Sequence, residues 1–237
     1  MTTFDDTIQN MKPKSIQLLN LIRQSNCARV ALFVSLSFSA AQGAAITQTA
    51  NDASSPTTSF TESARWSNSA APSAGNTYSN NGWLFRTPDD GSTSLTFAGD
   101  SLTMEPRSTA SGAIPGAAMI IKGTASQTIN IGSLILKGGI VSHGTAGVTK
   151  TLAGNITATS DTGFSITDTD GRNLIVNSTI SGSGRLYVGS FNNYNASGYT
   201  PTAWAHNFTV GGNNSSFSGG WTLGGSYTTT FLSLIHI

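Results

Sequence analysis

Charged side chains are scarce in this chain. They make up 10% of its 237 residues, against roughly a quarter in an ordinary soluble domain. Twelve Lys and Arg stand against eleven Asp and Glu. No basic stripe forms, which excludes the electrostatic footprint of a nucleic-acid-binding protein. Four of the basic residues, Lys12, Lys14, Arg23 and Arg29, precede the apolar segment at 30–38, so the remainder is slightly acidic. Cysteine is nearly absent. The only one, Cys27, also precedes that segment, and a chain processed after it would have no disulfide, no thiolate metal site and no thiol nucleophile. Helix-start signals are missing, and no apolar run approaches the roughly 20 residues of a membrane-spanning helix.

In place of charge stand 26 glycines and many Ser, Thr and Asn. The hydrophobic share, 38%, is too high for a disordered tail. The apolar residues fall in short alternating runs: Leu95-Thr96-Phe97, Ala118-Met119-Ile120-Ile121, Ile129-Asn130-Ile131, Leu134-Ile135-Leu136, Gly139-Ile140-Val141, Asn173-Leu174-Ile175-Val176 and Leu186-Tyr187-Val188. Period-two alternation between Gly, Asn and Asp turns reads as strand.

The runs also repeat. Leu152, Asn155, Thr157, Phe164 and Ile166 align without gaps with Leu174, Asn177, Thr179, Leu186 and Val188, 22 residues on, and Phe208-Thr209-Val210 echoes the triplet once more. A fixed period of that size is the signature of stacked supersecondary units. It predicts an all-β fold, a right-handed parallel β-helix or solenoid with an irregular N-terminal cap. The 10–12-residue spacing of strands leaves a β-sandwich as the alternative. In the solenoid, Leu152 is expected over Leu174, with Phe164, Leu186 and Phe208 in a second column and Asn155 over Asn177 in an amide ladder.

Four segments follow. Residues 1–43 read as a signal peptide: a basic stretch ending at Arg29, the apolar run Val30–Phe38, then small residues from Ser39 to Ala45. Met11 offers a second start, and cleavage fits after Gly43 or Ala45. Residues 44–94 form an irregular cap with Trp66, Tyr78, Trp83 and Phe85, of the sort a solenoid needs to cover its first rung. Residues 95–231 hold the repeats. Residues 232–237, Leu-Ser-Leu-Ile-His-Ile, read as the translation of a sequencing-library transposon end, which makes the chain a fragment with an open solenoid end able to self-associate.

Asn213-Asn214-Ser215-Ser216-Phe217-Ser218-Gly219-Gly220-Trp221-Thr222 and, upstream, Ile180-Ser181-Gly182-Ser183-Gly184-Arg185-Leu186-Tyr187-Val188-Gly189 resemble units of the autotransporter-associated β-strand repeat. The resemblance covers about residues 150–231 and extends more faintly over 94–149. It implies a right-handed parallel β-helix in a large, exported, surface-displayed protein. It also implies attachment to the outer membrane through a C-terminal barrel or anchoring tail, expected in a C-terminal region missing from this fragment.

Candidate chemistry is sparse. Asp168 and Asp170 place oxygens at alternate positions, with Asn173 three residues further on, as calcium loops do, yet Gly171 comes too early for an EF-hand and no bidentate Glu follows. The same stretch reads as an ordinary Asp-Gly turn. Asp89, Asp90, Asp100 and Glu105 could serve glycoside hydrolysis as paired carboxylates, or act as solvated turn residues. His143 and His206 lack metal-site spacing and read as loop residues. Tyr187, Phe191, Tyr194, Tyr199 and Trp204 surround a Gly/Asn-rich loop whose rings could stack on sugars or cover the solenoid side. No cofactor is implied. The expectation is an exported, non-enzymatic, adhesin-like passenger at the cell surface, outer membrane or outside the cell, with cell-surface or polysaccharide ligands. The alternatives are a carbohydrate-active β-helix (polysaccharide lyase or hydrolase) and a sugar-binding module.

Overall fold

The computed structural model describes residues 43–107, 117–144, 147–166, 172–189, 206–224 and 227–231. The described residues contain fifteen strands and no helix: β1 (Ala45–Thr47), β2 (Thr77–Ser79), β3 (Phe85–Arg86), β4 (Ser94–Thr96), β5 (Ser101–Met104), β6 (Ala117–Ile121), β7 (Gln127–Lys137), β8 (Ile140–His143), β9 (Thr149–Ser160), β10 (Thr162–Ile166), β11 (Asn173–Gly182), β12 (Leu186–Gly189), β13 (His206–Gly211), β14 (Trp221–Gly224) and β15 (Tyr227–Phe231). They build two sheets. Nine strands run β1-β2-β5-β7-β9-β11-β13-β15, with β4 also on β7, and six run β14-β12-β10-β8-β6-β3. From β5 onward the chain alternates strictly between the two sheets. Every pairing of these strands is parallel. A β-sandwich of the immunoglobulin type is antiparallel, so the pairing removes that alternative.

The alternation seen in the sequence explains the core. In β7 and β11 buried residues alternate with partly exposed ones, because successive side chains point to opposite faces of a strand. Ile129, Leu134, Leu152, Ile156, Leu174, Val176, Phe208 and Val210 from the larger sheet meet Met119, Val141, Phe164, Leu186 and Val188 from the smaller one in a single apolar cluster. Full burial of each such side chain contributes about 1.5–3 kcal/mol. At the β1 end, Phe60, Trp66, Tyr78, Phe85 and Phe97 join this core edge-on, with Trp66 and Tyr78 centroids 4.8 Å apart and the Trp66 Nε1 donating to the Ser59 carbonyl. The segment read as irregular thus contributes β1, β2 and β3 to the sheets.

The register differs from the expected one. Leu152 lies opposite Val176, and Leu174 opposite Lys150. Phe164 lies opposite Val188. The step between β9 and β11 is therefore 24 residues, as in the Thr157–Ser181 hydroxyl pair, and not 22. Phe208 belongs to the other sheet, opposite Leu174, and its ring meets Phe164 across the interior at 5.8 Å. Asn155 does not stack on Asn177: it faces Thr179, and its amide donates to the Gly132 carbonyl. An amide ladder exists at the start of β11. Asn207 Nδ2 donates to Asn173 Oδ1 at 2.8 Å, and Asn173 Nδ2 donates to Thr149 Oγ1 at 3.2 Å.

Two glycines, one within β9 and one at the end of β11, fix how closely successive strands approach. Gly154 has φ +113° and Gly182 φ +98°. A Cβ on either would strike the carbonyl oxygen of the strand beneath, Ile131 and Ala158 respectively. Only glycine serves there. The segment carrying the family resemblance is anchored by buried Asn214, whose Oδ1 accepts the Ile180 N–H at 3.0 Å.

Candidate functional site

The carboxylates grouped by sequence are engaged separately, Asp90 in a local turn and the other three with distant parts of the chain. Asp89 Oδ1 accepts the Thr124 N–H at 3.1 Å. Asp90 accepts the Ser92 N–H at 2.9 Å, which holds its carboxyl below the usual range. Asp100 accepts the Gly75 N–H. Glu105 pairs with Lys137 Nζ at 3.0 Å on the surface. Among the described residues no group of three or more His, Cys, Asp and Glu could hold a metal ion.

Of the calcium-loop residues, Asp168 and Asp170 lie outside the described residues. Asn173 begins β11, and its side-chain oxygen already accepts from Asn207. Of the aromatic set, Phe191, Tyr194, Tyr199 and Trp204 also lie outside the described residues. Tyr187 sits half-buried on β12, flanked in register by Gly163 and Thr222.

Both histidines are on strands, contrary to the loop expectation: His143 ends β8 and His206 begins β13. His143 is fully buried, with Nε2 3.0 Å from the Val148 carbonyl oxygen. It belongs to a basic interior corner that sequence reasoning missed. Lys150 is also fully buried, and its ammonium donates to the carbonyls of Gly123 and Ala125, both at 2.8 Å, and more distantly to Gln127 Oε1. Burial lowers its pKa from 10.5 to about 8, against the opposing charge of Asp89. Arg172 Nη1 donates to the His143 carbonyl, and Lys122 Nζ to that of Gly144. These cations act on backbone carbonyls, so the corner clamps three turns together. Its one legible signal is that Lys150 shares the inward parity of Leu152.

A second buried charge lies in the N-terminal segment. Asp52 Oδ1 accepts from both N and Oγ of Ser59, and Oδ2 accepts the Arg86 N–H at 2.9 Å. Arg65 Nη1 approaches to 3.5 Å. Burial pushes the Asp52 carboxyl up despite these partners. The same desolvation lowers the Arg86 guanidinium. The cluster ties the chain at 52–65 to β3, 34 residues away.

What remains is surface. The outward positions on β4 and on the first halves of β7, β9 and β11, continued by β13, fall into three columns in register. One holds Thr149, Asn173 and Asn207. The middle one holds Ser94, Thr128, Thr151, Ile175 and Thr209. The third holds Thr96, Asn130, Ala153, Asn177 and Gly211. None of these residues is charged or aromatic. Fixed spacing between ladder partners, about 4.8 Å across strands and about 6.6 Å along them, makes this a regular net, of hydroxyl and amide groups except at Ile175, Ala153 and Gly211. No protein-family model, curated protein or solved structure matches this chain.

Proposed function

We propose that the two sheets are faces of a right-handed parallel β-helix, and that the chain is part of an exported, surface-displayed scaffold of adhesin type. The observation that carries this reading is the uninterrupted parallel stacking in chain order from β5 to β15, with one continuous apolar interior. Right-handed passage between parallel strands is the rule, and a stack of this kind extends a surface in one direction by adding units. Asp89, Asp90, Asp100 and Glu105 are each engaged with a different backbone N–H or in an ion pair, which favours a structural role over hydrolysis. The basic-apolar-small order of residues 1–43 supports export, and the repeat resemblance supports display at the outer membrane.

Export is tested by expressing the full chain with a C-terminal tag in a Gram-negative host and sequencing the N-terminus of the mature protein. A new N-terminus near residue 44 or 46 in the extracytoplasmic fraction is expected. An intact leader in the cytoplasm would sink the export reading. Protease accessibility on whole cells of a version joined to a membrane anchor then tests display.

A further inference from the structure

We infer that the three-column face on β4, β7, β9, β11 and β13 is a docking surface for a neutral polysaccharide in extended, fibrous form. This rests on the scaffold reading above and names the partner of that scaffold. Four features of the face converge.

The first is charge. The whole net is neutral. An ionic polymer laid on it would be desolvated with no countercharge to repay the loss, whereas a neutral one meets no such penalty. The second is hydrogen-bond character. Ser and Thr hydroxyls and Asn amides each donate and accept, and so do sugar hydroxyls, so either polarity of contact can be satisfied at the hydroxyl and amide positions, while Ile175, Ala153 and Gly211 offer no side-chain partner. The third is preorganisation. Threonine is stiff at χ1, and the Asn173 amide is held at both ends by Thr149 and Asn207. Little side-chain entropy is lost when a partner settles. The fourth is translation. Five strands at about 4.8 Å make a face about 19 Å long, and ten of its thirteen positions carry a hydroxyl or an amide. A surface built by repetition gains most from a partner built by repetition, since linked contacts multiply. No aromatic platform lies on the net, so the sugars would meet it through their hydroxyl edges and not through ring stacking.

The test is depletion of the purified full chain from solution by particles of cellulose, chitin and xylan, with pectate as the anionic comparison. The expected result is retention on at least one neutral fibre and none on pectate. Thr151→Lys with Thr209→Lys, two charges in the middle column, should weaken retention about tenfold. Thr157→Lys, an outward position of β9 beyond the Gly154 bend, should leave it unchanged. Absence of binding to all three neutral fibres overturns the proposal, as does equal binding to pectate, or loss of retention with Thr157→Lys alone. A dimer in sedimentation that the Thr151/Thr209 variant dissociates would assign the face to a second copy and overturn it too. A β-sheet circular dichroism spectrum reports on the scaffold separately: loss of it in the parent chain fails the scaffold reading, and binding failure with the spectrum intact fails the docking face alone.

Discussion

Lys150 should govern how stability responds to alkaline pH. The ordinary lysine pKa is 10.5, and burial brings this one to about 8. Each unit of difference corresponds to about 1.36 kcal/mol, so holding the ammonium in the folded interior costs about 3 kcal/mol wherever both states are protonated. Below about pH 8 that cost is fully present. Between about 8 and 10.5 the unfolded chain binds more protons than the folded one, so stability rises with pH across that window. Replacing Lys150 with Met removes the titration. It also strands the carbonyls of Gly123 and Ala125, at about 1–3 kcal/mol each, so the variant's stability at neutral pH combines two opposing effects. The pH slope isolates one of them. Urea unfolding at pH 7, 8, 9 and 10 should show the parent gaining on Lys150→Met by about 2–3 kcal/mol. Equal slopes for the two proteins would refute the argument, because the amine would then be protonating alike in both states.

Other substitutions separate inward from outward positions and tight glycines from open ones. Leu152→Ala, fully buried between Ile129 and Val176, should cost about 3–4 kcal/mol in urea unfolding, while outward Ile175→Ala should stay within about 1 kcal/mol; similar losses for both would contradict the assigned facing. Gly154→Ala should lower the melting temperature clearly, with both a positive φ and the Ile131 carbonyl against it. Gly132→Ala meets nothing within 4 Å and should be close to neutral, so a larger loss at Gly132 than at Gly154 would count against the close approach of β9 to β7.

Strand content and facing were readable because period-two alternation is a local property. Leu152, Leu174, Phe164 and Leu186 are all buried, as their spacing implies. Their partners were not readable. The columns follow facing, not identity: Lys150 stacks with Leu174, and Leu174 with Phe208. Aligning like residues therefore produced a step of 22 where the backbone takes 24. The error is even, so it preserved every inward position while displacing every pair, the consequence of a side-chain period of two. The step also changes along the chain. From β11 to β13 it is 34 residues, as in the Asn173–Asn207 pair, and an inserted stretch of that sort erases a fixed period. The short strands β1, β2 and β3 carry two or three residues each, too few for a pattern, and Asp52 finds Arg86 only through the fold. The neutral net was hidden for the same reason. Thr151 and Thr209 look like ordinary strand residues until register places them in one column.

Cross-linking measures that register directly. With Cys27 replaced by Ser, two cysteine pairs are compared. Thr151→Cys with Ile175→Cys joins residues placed in register, with Cα atoms about 4.8 Å apart and inside the disulfide range of about 4.4–6.8 Å. Thr151→Cys with Asn173→Cys joins the pair a 22-residue step would align, here diagonal neighbours about 8 Å apart. Mild oxidation should close the 151–175 bridge rapidly and leave 151–173 as free thiols. Closure of 151–173 in preference, or of neither pair in a folded chain, would contradict stacking of β9 on β11 at 24 residues.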